Sequence, residues 1–118
     1  MNARILFSVL AVFTLISAPC LADSKFDQTL ELAQQGDTQA QSELGMMYAK
    51  GKGTKQNNVS AFIWMSAAKA SGNQEAEHNL QALRKRMSLK EIIDGQAKAA
   101  KCIGSHYQHC KPATPPVF

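Results

Sequence analysis

Residues recur in kind at a spacing of 36 along this chain: Phe26 and Phe62, Gly36 and Gly72, Ala40 and Ala76, Leu44 and Leu80. A period of that length is the mark of stacked helical hairpins. One hairpin cannot bury its own apolar face, so a neighbour of the same pattern must cover it. The stretches between the glycines carry the matching periodicity. Phe26, Leu30 and Ala33 stand at i, i+4 and i+7, and Ala40, Leu44, Met47 and Tyr48 share one helical face. No alternating apolar pattern of strand type is present.

Punctuation places the helices. Gly36 reads as a left-handed stop for a helix over 25–35, and Asp37 as the cap of the next, over 38–50. Gly51-Lys52-Gly53 breaks that helix, and Asn57 or Asn58 caps a successor over 59–71 that carries Phe62, Ile63, Met65, Ala67 and Ala68. Gly72 and Asn73 repeat the stop and start, and Ala76, Leu80 and Leu83 form the stripe of a helix over 74–86. Ser88-Leu89-Lys90-Glu91 is a capping box, with Met87 and Ile92 as its hydrophobic staple. A final helix should run from about Leu89 to Cys102, with Gly104 as its stop. The expected fold is all-α, with about five helices arranged as antiparallel hairpins. Tyr48, Phe62 and Trp64 are its bulky core residues, with Ala61, Ala67 and Ala68 small enough to permit close approach.

The two ends read differently. Arg4, the apolar run Ile5–Ile16 and Ala18-Pro19-Cys20-Leu21-Ala22 have the layout of a secretory signal peptide over residues 1–22, cleaved before Asp23. The run is short for a bilayer span. Cys20 raises lipidation as a rival, but Pro19 and Ser17 depart from that pattern. Thr114-Pro115-Pro116 cannot continue a helix, so residues 112–118 are expected to be a flexible tail and 23–111 the folded domain. Export implies a periplasmic or secreted protein with no membrane span after cleavage.

Charge is divided unevenly. Asp23 to Leu83 holds 5 basic and 7 acidic residues, whereas Arg84 to Phe118 holds 7 basic and 2 acidic. An acidic partner or anionic surface would suit the second half. Arg84, Lys85 and Arg86 also suit the negative end of a helix. Without aromatic stacking platforms beside the basic residues, nucleic acid is not an expected partner.

Cys102 and Cys110 are the only cysteines after Ala22. An even pair in an oxidising compartment reads as a disulfide, worth about 2.5 kcal/mol by chain entropy for so short a loop. The rival is a metal site made of Cys102, His106, His109 and Cys110, in which the adjacency of His109 and Cys110 makes tetrahedral convergence awkward. Glu75 and His78 form half of a di-iron pattern whose second half is missing. Gly51-Lys52-Gly53 lacks the strand of a phosphate loop, and Met46-Met47 reads as half core and half surface rather than as a copper site. No nucleophile stands in a catalytic motif, so no catalytic, metal or cofactor residue is expected.

Gly36, Ala40, Leu44-Gly45, Tyr48, Gly51, Gly53, Ala61, Trp64, Ala67-Ala68 and Gly72 stand at the spacing of a Sel1-like repeat, which the chain resembles closely over 36–72 and partially over 25–35 and 73–83. Thr54, Asn57 and Gln81 replace the usual Val, Asp and Gly. The stretch from Met87 to Cys102 looks like the closing helix of small exported members. The resemblance implies an α/α superhelix of tetratricopeptide type, acting as an adaptor or scaffold that binds another protein or peptide. Cysteine-rich relatives associated with β-lactam binding carry a cysteine pair in each repeat, which this chain does not. A small hydrolase or β-lactam-binding protein, or an obligate structural subunit, is the alternative. In such superhelices the first helix of each hairpin lines the concave face. That makes Ser42, Met46 and Ala49, with their 36-residue equivalents His78, Ala82 and Lys85, the candidate partner-binding stripes.

Overall fold

The computed structural model describes residues 21–110. Among them are five α-helices and no strand: α1 (Leu21–Gln34), α2 (Thr38–Lys50), α3 (Asn58–Ala70), α4 (Gln74–Arg84) and α5 (Leu89–Gly104). The fold is all-α. The expected tail and all but the last residues of the expected leader lie outside the described residues. Helix α1 starts at Leu21, ahead of the expected Lys25, so the Ala22 boundary falls in its first turn. Short connections make α1–α2, α2–α3 and α3–α4 antiparallel neighbours, whereas α5 packs on α3 rather than on α4.

Each internal helix start is satisfied by the side chain the sequence supplies. Asp37 accepts from the Ala40 N–H at 2.8 Å, Asn57 from Ser60 at 3.0 Å and Asn73 from Ala76 at 2.9 Å. Ser88 and Glu91 exchange both bonds of a capping box. The stops repeat as well. Gly36, at φ +94°, donates to Ala33 while Asp37 donates to Leu32; Gly72, at φ +91°, donates to Lys69 while Asn73 donates to Ala68. These paired bonds are the Schellman closure, which requires a left-handed residue at that point. One turn is therefore built twice, 36 residues apart.

Helix α3 is the centre. It packs against α2, α4 and α5, and Ser60 to Met65 are all buried. A helix apolar nearly all round belongs in the interior, and its two sides face two clusters. Phe62 and Met65 join Ala49, Leu80, Leu83, Met87 and Ala99 on one side. Ile63 and Trp64 join Ala33, Ala40, Leu44, Cys102 and Cys110 on the other. Tyr48 borders both clusters and meets Phe26 edge to face, with centroids 5.5 Å apart. Gly45 allows α2 to approach α3, because a Cβ there would lie 2.6 Å from Met65 Cγ and 3.3 Å from the Ala61 carbonyl. Its 36-residue equivalent is Gln81, which is exposed and donates to Glu77 at 3.1 Å. The need for glycine has moved: α5 packs on α3, and Gly95 receives the Phe62 ring there.

The end of α5 departs from expectation. Gly104 is its last helical residue, and the left-handed positions are His106 (φ 53°) and Tyr107 (φ 67°). His106 donates to Ile103 and Tyr107 to Cys102, the same closure as at Gly36 but without glycine. Tertiary contacts hold it. Cys102 and Cys110 are joined in a disulfide with Cα atoms 4.5 Å apart. The Tyr107 ring lies against Gly36, and its hydroxyl is 3.4 Å from Ser71 Oγ. The loop thus touches both repeat-equivalent turns at once.

Candidate functional site

Helices α2 and α4 are the repeat-equivalent pair, and a cleft of about 240 Å³ runs between them. Its apolar lining is Met46 and Ala49 from α2, Met65 from α3, and Ala82 and Leu83 from α4. Lys50, Asn79 and Arg86 supply the polar groups. Lys50 and Arg86 are themselves 36 residues apart, so the repeat places a cation at the same point beside each helix. Neither forms an ion pair with a carboxylate among the described residues. An apolar trough with two available cations is suited to an apolar side chain next to a carboxylate.

Of the six expected residues, Met46, Ala49 and Ala82 line this cleft. Ala49 is mostly buried, so it contributes floor rather than an open stripe. Ser42 is corrected: it is 2 % exposed. Helix α2 is enclosed by α1 as well as α3, so the face opposite Leu44 is not free at that level. His78 on α4 and Lys85, the cap at its C-terminal end, are exposed but do not line the cleft. Sequence reasoning missed Lys50, Asn79 and Arg86. The signal that finds the two cations is the 36-residue shift applied to charge instead of to apolar positions.

Beside this cleft, a smaller hollow of about 100 Å³ shares Met46 and Lys50 and adds Lys52. It also includes the Lys25–Glu43 ion pair, 3.0 Å long, which ties α1 to α2. Burial pushes the Tyr48 phenol above its ordinary range, and its ring serves the core. On α4, Glu75 and His78 are both exposed. With Cys102 and Cys110 bonded to each other, neither sulfur is a thiolate, and among the described residues no three His, Cys, Asp or Glu side chains converge. No described helix is long and apolar enough to cross a membrane. The bonded cysteine pair suits an oxidising compartment. No protein-family model, curated protein or solved structure matches the chain.

Proposed function

We propose that this protein is an exported Sel1-like repeat module that binds another protein or peptide through the α2–α4 cleft. The observation that carries the reading is the repeat-equivalent pair Lys50 and Arg86 beside an apolar floor, both outside the described ion pairs. A partner with an apolar side chain flanked by a carboxylate matches that chemistry. Export to the periplasm or medium is part of the proposal. It rests on the leader pattern of residues 1–22 and on the disulfide.

Crosslinked capture from native cells tests the cleft with three variants. Met46→Glu and Arg86→Glu should each weaken recovery of the partner. Lys85→Glu, next in sequence but outside the cleft, should leave it unchanged. Equal recovery with all three folded variants removes the cleft from consideration. The hydrolase alternative is separated by an activity screen on the oxidised protein. The obligate-subunit alternative is separated by whether the protein also exists free of its complex.

A further inference from the structure

Helix α5 presents its core side to α3 through Gly95 and Ala99, and its opposite side is open. Leu89 and Ile93 on that open side are 74 % and 58 % exposed, the two most exposed large hydrophobics among the described residues. Ala97 and Ala100, both exposed, continue the stripe at helical spacing. An open apolar depression follows Leu89, Ile93 and Ala97, and Lys90 and Asp94 border it. Lys90 and Lys101 lie on one edge of the stripe by helical geometry, and neither is in an ion pair among the described residues. Asp94 is neutralised by Lys98 at 2.7 Å, and Glu91 is engaged by the Ser88 cap. A two-sided helix of this kind, with apolar tips outward and lysines at the margin, is the pattern of a helix that lies in a membrane interface.

We infer that the outer face of α5 docks on an anionic lipid bilayer as a peripheral contact, with Leu89 and Ile93 entering the headgroup boundary and Lys90 and Lys101 meeting lipid phosphates. Charge selects this occupant over a second copy of the chain. On α5 itself Lys90 and Lys101 stand outside the described ion pairs while Asp94 is paired with Lys98, so the free cations at the edge of the stripe face like charges on a second copy and opposite charges on an anionic surface. Area points the same way. Two 16-residue helices side by side bury on the order of 800 Å² in total, short of the roughly 1,200 Å² of a stable interface. This inference stands apart from the α2–α4 cleft, which shares no residue with the α5 face.

The test is co-sedimentation of the full oxidised chain with phosphatidylcholine vesicles, with and without about one-third phosphatidylglycerol. Two double variants, Leu89→Ser with Ile93→Ser and Lys90→Glu with Lys101→Glu, are run beside the parent. All three carry the same residues 1–20, so their difference reports α5 alone. The altered side chains are exposed, and unchanged helicity and melting verify the fold. The parent should bind the anionic vesicles more tightly than the neutral ones. Each double variant should lose roughly tenfold or more of the anionic binding. Parent binding that is absent, or indifferent to phosphatidylglycerol, overturns the inference, as does undiminished binding by both variants. A concentration-dependent dimer dissociated by the Leu89 and Ile93 changes, without vesicle binding, assigns the face to a second copy and likewise overturns it.

Discussion

Trp64 shows how a single side chain ties the repeat together. It is 2 % exposed and shares a cluster with Leu44 of α2, Ala33 of α1 and Cys102 of α5, so the cluster that holds the indole draws on four helices, its own α3 among them. Close packing leaves little room for that cluster to collapse if the ring is removed. Trp64→Ala should therefore lower stability by about 3–5 kcal/mol in urea denaturation. A loss below about 1 kcal/mol would place the indole outside the core. At the surface, Glu77 accepts from Lys69 of α3 and from Gln81 of its own helix, at 2.6 and 3.1 Å. The Lys69 hydrogen bond, with the Gln81 bond next, holds the Glu77 carboxyl below its ordinary value. A carboxyl depressed in the folded state adds stability above its unfolded pKa, and that stability is lost as pH falls through the folded value. Glu77→Gln should thus differ from the parent at neutral pH and converge with it in acid. Parallel pH–stability curves for the two proteins would show that the Lys69 contact does not influence folding.

At the level of the helix, the beginnings were legible because a cap is local chemistry. Asp37, Asn73 and Ser88 lie within three residues of the N–H groups they satisfy, so spacing alone identifies them. The end of α5 was not legible, because Tyr107 packs against Gly36 and the disulfide closes on Cys110, contacts remote in sequence or dependent on pairing. Those contacts hold His106 and Tyr107 left-handed, a conformation that disfavours any residue with a Cβ by about 1–2 kcal/mol. Two substitutions separate the readings. Gly104→Ala should be neutral or stabilise by up to about 1 kcal/mol, since Gly104 is helical and open around its Cβ position. His106→Gly should also stabilise, by up to about 1 kcal/mol, the relief of strain being partly offset by the added unfolded entropy of glycine. A marked drop in melting temperature for Gly104→Ala would restore Gly104 as the helix stop. The cleft was half legible for a similar reason. The expected first-helix face and its 36-residue shift located Met46, Ala49 and Ala82, but Ser42 is covered by tertiary packing that no local pattern reports.

For the molecule as a whole, the two clusters either side of α3 depend differently on the C-terminal loop. Cys102 and Cys110 belong to the cluster with Ala33, Leu44 and Trp64, and Tyr107 packs against it. The other cluster, with Phe62, Leu80, Leu83 and Met87, contains no residue of the loop. Opening the disulfide releases chain entropy worth about 2.5 kcal/mol in the unfolded state. It also frees the segment that holds Tyr107 against the turns at Gly36 and Ser71. The loss should therefore be uneven. In Cys102→Ser, amide hydrogen exchange should accelerate most in α1 and in the last turns of α5, while the contacts of α4 with α3 keep more of their protection. Tyr107→Ala, with the disulfide intact, should reproduce the same pattern at smaller amplitude, because it removes the packing but not the covalent link. A uniform loss of protection across all five helices would mean that the disulfide acts only by limiting the unfolded chain, with no role for Tyr107 in clamping the two turns.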